Sequence, residues 1–309
     1  MFSDNLKKRR LQMGLSQEEL AKHVGYSSRS SVAKLEAGTA SVTTQKLQRI
    51  AQVLDISVDE LIGIDAQSPI SVEERKNSSK TVVLVQAGGK STRNILNVPN
   101  QFITIDDKPV IIYVLEAYEK HPAIDEIHVV CAYGWESILA SYLDKFRITK
   151  VKNIITGGDT ILDSVRLGFR KIEKDLLPGD TVILQEATRP MVTGGMISKL
   201  LSSYATFGNS VIVRQVNELV QFQRTGSTTN YLDRNTIYSM ESPEIYSAQS
   251  LKEALDQPPK KLQDDGSCCA LLFYRRGMDI HFCENKSTNI KIVRQEDAYT
   301  FKVLNSLIL

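Results

Sequence analysis

Long apolar runs are missing from this sequence of 309 residues. No run approaches the roughly 18 apolar residues that a membrane-spanning helix needs, so no membrane partner is expected. The opening residues, Met1-Phe-Ser-Asp-Asn-Leu-Lys-Lys-Arg-Arg, lack the apolar core of a secretory signal. Cysteine is sparse. Cys131, Cys268, Cys269 and Cys283 do not have metal-ligand spacing and read as reduced, mostly buried thiols of a cytoplasmic protein. An excess of one charge is also missing, with 38 Lys and Arg against 36 Asp and Glu. Residues 1–64 hold 9 basic and 7 acidic side chains and the remainder 29 of each, so the small positive excess belongs to the N-terminal piece. The length suits one small domain followed by a larger one.

The first 64 residues have helical periodicity throughout. Asn5 to Met13 carries Leu6, Leu11 and Met13 beside the basic run Lys7–Arg10, and Gly14 stops it. Ser16 caps a second helix, Gln17 to Val24, with Glu19 completing a capping box. Ser27 or Ser28 caps a third, ended by Gly38. Thr43 opens a fourth, and Ser57 caps a fifth. Short helices two and three, joined by a Gly turn, make a helix-turn-helix pattern. Leu15-Ser-Gln-Glu-Glu-Leu-Ala-Lys-His-Val-Gly and Ser28-Arg-Ser-Ser-Val-Ala-Lys-Leu-Glu-Ala-Gly resemble the second and recognition helices of the Cro/repressor-type (XRE) DNA-binding family. The resemblance implies double-stranded DNA as a partner. It implies that Ser28, Arg29, Ser30, Ser31 and Lys34 face the major groove, that Gln17 contacts a phosphate, and that Val32 and Leu35 belong to the core.

Residues 65–79 contain Pro69, several serines and the run Glu73-Glu-Arg-Lys, with no period. They read as a flexible linker. From residue 80 onward strand and helix signals alternate. Strands are expected at Thr81–Gln86, Glu126–Cys131, Val151–Thr156, Thr181–Leu184 and Ser210–Val213. Helices are expected at Val110–Lys120, Trp135–Lys145, Ile161–Lys174 and Met196–Thr206. This alternation predicts a parallel α/β sheet with helices on both faces, with ligands at the carboxyl ends of the strands. Three polar loops fall there: Ala87-Gly88-Gly89-Lys90-Ser91 with Arg93, Gly157-Gly158-Asp159-Thr160, and Gln185-Glu186-Ala187-Thr188-Arg189-Pro190. Glycine lets a backbone approach a ligand closely, and loop amides bind anions.

Ala87-Gly-Gly-Lys-Ser-Thr-Arg, Pro99-Asn-Gln-Phe, Gly157-Gly-Asp-Thr-Ile-Leu-Asp-Ser-Val, Glu186-Ala-Thr-Arg-Pro, Asp264-Asp265-Gly-Ser and Asn289-Ile-Lys-Ile resemble, in order, the methylerythritol-phosphate and ribitol-phosphate cytidylyltransferases. The expected architecture is therefore two domains: an all-α helix-turn-helix bundle, then an α/β Rossmann-like nucleotidyltransferase fold with a β-arm. That family joins CTP to a polyol phosphate with Mg2+ and releases pyrophosphate. The resemblance places Arg93 on the CTP phosphates, Arg234 near the acceptor phosphate, Lys291 at the α-phosphate and Ser164 beside the ribose. It places Glu186 and Asp265 on the metal, and Ala87, Gly88, Gly89, Ser91, Gly157, Gly158, Asp159 and Arg189 around the nucleotide. It also implies that residues 215–246 form an arm exchanged within a homodimer.

Several positions depart from the family pattern. Asn100 stands where a lysine is expected, Ser91 replaces a glycine, Glu186 replaces an aspartate and Ile161 an arginine. Glu241-Ser-Pro-Glu244 puts two anions on the acceptor side. Lys90 either brings an ammonium to the place that Asn100 vacates or faces solvent. Three functions follow: a DNA-binding regulator sensing CTP or a polyol phosphate, a working cytidylyltransferase with a DNA-binding head, or a domain that serves only for dimerisation.

Overall fold

A computed structural model describes residues 2–26, 28–38, 40, 42, 44–54, 56, 61, 79–89, 98–218, 221–256 and 268–308. The chain divides into two compact units, residues 1–76 and 77–309.

The first unit holds four described helices: α1 (Phe2–Gln12), α2 (Gln17–Val24), α3 (Arg29–Glu36) and α4 (Thr44–Val53). The capping box forms as its spacing predicts. The Ser16 hydroxyl accepts from the Glu19 amide at 3.1 Å, and the Glu19 carboxylate accepts from the Ser16 amide at 2.7 Å. Lys46 donates to the Val24 and Gly25 carbonyls, placing a cation at the C-terminal end of α2. Leu6, Leu20, Val24, Val32, Leu35, Ile50 and Leu54 close one core, so Val32 and Leu35 lie inside as expected. Ser28 does not cap α3 with its side chain; its hydroxyl meets that of Ser30 at 3.0 Å. Ser27, Thr43 and Ser57 lie outside the described residues, as does the fifth helix except for the buried Leu61.

The second unit is built on a seven-stranded sheet. Its strands are β1 (Thr81–Ala87), β2 (Glu126–Cys131), β3 (Val151–Thr156), β4 (Thr181–Glu186), β5 (Ser210–Gln215), β8 (Tyr238–Ser247) and β9 (His281–Glu284), in the order β9-β5-β8-β4-β1-β2-β3. A separate hairpin pairs β6 (Gln221–Thr225) with β7 (Thr228–Leu232). The five expected strands are present. The sheet is not wholly parallel, however: β8 runs antiparallel to both β4 and β5. The expected arm is correspondingly smaller, because only Gln221–Leu232 forms the hairpin, while Tyr238–Ser247 enters the main sheet.

Alternation along β1 distributes its side chains between two cores. Val83, Val85 and Ala87 pack with α5 (Val110–Lys120), α6 (Glu136–Phe146) and α8 (Gly194–Phe207). Val82 and Leu84 pack with α7 (Ile161–Ile172), α9 (Ala248–Asp256) and α10 (Cys269–Arg275). Each fully buried Val or Leu contributes roughly 1.5–3 kcal/mol relative to exposure, which fixes the register of the central strand. Gly168 lets α7 lie close on the sheet, since a Cβ there would sit 2.6 Å from Val130 and 2.7 Å from Leu84. The last helix, α11 (Gln295–Ile308), packs Phe301 edge-on against Tyr113.

Candidate nucleotide cleft and DNA-reading face

Parallel β1, β2, β3 and β4 end at one edge, and a cleft of about 480 Å3 opens there. All three polar loops reach it: Gly88 and Gly89 after β1, Gly158 to Ile161 after β3, and Glu186 and Thr188 after β4. The first two loops touch. A Cβ on Gly157 would stand 3.1 Å from the Gly88 backbone, and one on Gly88 would stand 3.0 Å from the Ser164 hydroxyl, so a side chain at either position would be crowded. The buried Ser164 hydroxyl accepts from the Gly158 amide at 3.1 Å and holds the second loop. Thr160 caps α7 by accepting from the Asp163 amide, and Thr160 and Ile161 present the start of that helix to the cleft. A helix N-terminus favours anions, which suits a phosphate-bearing ligand.

Gln101 and Asn100 were legible only as part of a Pro-Asn-Gln signature, and their structural roles differ from that reading. The Gln101 amide donates to the Ala87 and Gly89 carbonyls at 2.7 and 3.0 Å, clamping the first loop. Asn100 is 4% exposed, and its amide donates to the Ile292 and Val293 carbonyls at 3.3 and 3.0 Å. It is therefore a fastener for the segment that carries Lys291.

Glu186 lies at the centre of the site's electrostatics. One carboxylate oxygen is ion-paired with Lys291, and the other accepts from Arg189 Nε at 2.6 Å. Burial pushes the Glu186 carboxyl up, but the Lys291 and Arg189 charges outweigh it and hold the group below the usual carboxylate range. Arg189 also donates to the Asn289 carbonyl at 2.8 Å and lies 3.9 Å from Glu241. Arg214 of β5 meets Glu241 at 2.6 Å, and the Asn289 amide donates to Glu241 at 3.1 Å. Arg214 carried no signal in the sequence.

The two anions expected on the acceptor side are not at the cleft. Glu241 is 2% exposed and held by Arg214, while Glu244 is buried under the Tyr246 hydroxyl at 2.5 Å. Arg189 and Arg234 do not line the cleft; Arg234 sits in a short turn after β7. Asp159, Glu186 and Lys291 do line it. Lys90, Ser91, Arg93 and Asp265 lie outside the described residues.

Among the described residues no group of three or more His, Cys, Asp or Glu is placed to hold a metal. The donor chemistry fits Mg2+ that arrives with phosphate ligands, because that ion usually takes one or two carboxylates and completes its shell with substrate oxygens. Glu186 and Asp159 are the described carboxylates that line the cleft and could supply that bond.

In the first unit, Ser28, Arg29, Ser30 and Lys34 are exposed and Ser31 is half-buried. Gln17 is engaged rather than turned outward. It accepts from Arg29 Nε at 3.2 Å and donates to Glu36 at 2.8 Å. Arg10 in turn grips Glu36 at 2.6 Å. Gln17, expected at a phosphate, thus ties the exposed Arg29 to Glu36.

The helix-turn-helix family profile matches residues 6–61, and the 2-C-methyl-D-erythritol 4-phosphate cytidylyltransferase profile matches residues 81–304. The ribitol-5-phosphate cytidylyltransferase of Lacticaseibacillus paracasei is 31% identical over 222 residues, covering 71% of this chain and 95% of that protein. A 2-C-methyl-D-erythritol 4-phosphate cytidylyltransferase of Clostridium botulinum is 27% identical, with coverages of 71% and 94%. A solved 4-diphosphocytidyl-2C-methyl-D-erythritol synthase aligns with a TM-score of 0.62 at 20% identity, covering 74% of this chain and 99% of that one, and so shares the fold. With its helix-turn-helix head, the chain belongs to the 2-C-methyl-D-erythritol 4-phosphate cytidylyltransferase family.

Proposed function

We propose that this chain is a cytoplasmic, DNA-binding transcriptional regulator whose cytidylyltransferase-family domain binds CTP, a related cytidine nucleotide or a polyol phosphate as a signal. The observation that carries this reading is Asn100, buried and turned onto two backbone carbonyls where the family pattern has a cation. Exchanging a charge-assisted phosphate bond for none weakens stabilisation of a reacting phosphate more than it weakens capture of a nucleotide. Loops that cradle a ligand are kept, and turnover is reduced.

Mg2+ would enter with the nucleotide, held by Glu186, with Asp265 as the second carboxylate that the family resemblance suggests. Its chemistry there is neutralisation of phosphate charge. The hairpin β6–β7, with Phe222 and Tyr231 exposed and their rings 6.4 Å apart, supports a homodimer. Two heads related by a two-fold axis suit a two-fold operator.

A second reading, a working CTP:polyol-phosphate cytidylyltransferase with a DNA-binding head, is favoured by Lys291, Glu186 and Ser164 standing at one cleft. Calorimetry with CTP and Mg2+, together with pyrophosphate release in the presence of ribitol 5-phosphate or methylerythritol 4-phosphate, separates the two. The regulator binds CTP with little or no turnover, and brisk turnover removes that reading. For the head, Arg29→Ala with Lys34→Ala weakens DNA retardation and leaves the dimer intact. Unchanged retardation removes the assignment of α3 to the groove.

A further inference from the structure

Both oxygens of Glu186 already carry a cation, Lys291 on one and Arg189 on the other. The two cations are anchored differently. Arg189 is 12% exposed and also donates to the Asn289 carbonyl, so it is fixed. The Lys291 side chain is 40% exposed and lies at the cleft wall, while Asn100 fastens the carbonyls of the next two residues, Ile292 and Val293.

A bare divalent ion reaching Glu186 must take the oxygen that Lys291 holds. It would leave an ammonium unpaired beside a dication, with a guanidinium on the other side. Like charges at such distances repel strongly when partly shielded from water. A metal–nucleotide complex meets no such obstacle. Its phosphates supply the anions that accept the displaced ammonium, while the metal takes the freed carboxylate oxygen.

We propose that Lys291 is a specificity residue that makes the cleft select the metal–nucleotide complex and reject the free divalent ion. This deepens the reading of the cleft as a CTP site and rests on it. Metal and nucleotide binding are then coupled, each strengthening the other by the same factor. Lysine rather than arginine suits the exchange, since a flexible point charge swings between partners more readily than a planar fork.

The test uses the full chain and Mn2+ alone, with free Mn2+ followed by electron paramagnetic resonance. The native protein takes up no Mn2+ at low millimolar concentrations in the absence of nucleotide. Lys291→Met binds one Mn2+ at least about tenfold more tightly, and Lys291→Arg stays like the native protein. Adding Glu186→Gln to Lys291→Met abolishes the gained site. Thermal melts verify folding of each variant, which the exposure of Lys291 favours. Equal Mn2+ uptake by the native protein and Lys291→Met overturns the proposal. So does a gained site that survives Glu186→Gln. Calorimetry of the native protein with CTP and Mg2+ is run in parallel; its failure would remove the CTP reading, whereas the Mn2+ titration reads the lysine's exclusion of metal directly.

Discussion

The two units each pair a glutamate with a cation, and the contrast between them separates architecture from function. In the helical unit Arg10 and Glu36 have side chains 8% and 4% exposed and meet at 2.6 Å, with Gln17 as a further partner. In the cleft Glu186 and Lys291 are 24% and 40% exposed. The first pair is sealed and can only be kept or broken. The second faces a cavity and can exchange partners. Burial, rather than the chemistry of the pair, decides which role is open to it. A sealed charge loses its partner at several kcal/mol, whereas an open one regains water.

The largest expected effect breaks the sealed pair. Glu36→Ala leaves Arg10 buried and uncompensated, at a cost of about 3–5 kcal/mol. That is comparable to the whole stability of a unit of this size, roughly 0.05–0.15 kcal/mol per residue. Urea unfolding of the full chain should lose the transition of the helical unit and keep that of the sheet. Retention of both transitions would show that the pair is dispensable.

Glu244 sharpens the contrast from a third side, being a carboxyl 5% exposed with a phenol instead of a cation. Burial pushes it up from 4.5 to about 7, the Tyr246 bond works against this, and the Glu186 charge adds to it. The folded protein thus holds a proton that the unfolded chain releases. The stabilisation is complete below pH 4.5 and is lost as pH rises through 7. The change amounts to about 3 kcal/mol. Glu244→Gln removes this slope and makes the protein more stable than native at pH 8, as urea midpoints at pH 5 and pH 8 would record. An unchanged slope would assign the titration elsewhere.

Much of this arrangement was readable from residue order. The strands from Thr81 to Val213 announce themselves by apolar runs, and the three loops converge because parallel strands share one carboxyl edge. Tyr238–Ser247 did not, since Glu241, Ser242 and Glu244 interrupt any strand pattern. Once buried, Glu241 is met by Arg214 and Asn289, Ser242 by Gln185 and the Glu186 amide, and Glu244 by Tyr246. Asn100 shows the same limit. Its type signals a missing charge, but not that its amide would bond carbonyls 192 and 193 residues away. Local pattern reports propensity and burial; it does not report which distant polar group a side chain will satisfy.

Asn100 supplies the next test. Asn100→Ala removes two hydrogen bonds and leaves the Ile292 and Val293 carbonyls without those donors, costing about 1–2 kcal/mol. Because these bonds fasten the Lys291 segment, CTP affinity measured by calorimetry should fall about tenfold. If Asn100 were merely the remnant of a lost phosphate contact, its truncation would leave CTP affinity unchanged.

The smallest expected effect on stability comes from the open pair itself. Lys291→Met breaks an ion pair whose lysine is 40% exposed, so solvent screening limits the loss to less than about 1 kcal/mol. For a sheet unit of this size that moves the melting midpoint by no more than about 2–4 °C. Glu186 keeps Arg189 at 2.6 Å, so no carboxylate is stranded. Scanning calorimetry of Glu36→Ala and Lys291→Met side by side then reads the contrast directly, with one substitution abolishing a transition and the other hardly shifting one. A large fall for Lys291→Met would mean that the cleft pair is as structural as the sealed one, and its availability for partner exchange would no longer hold.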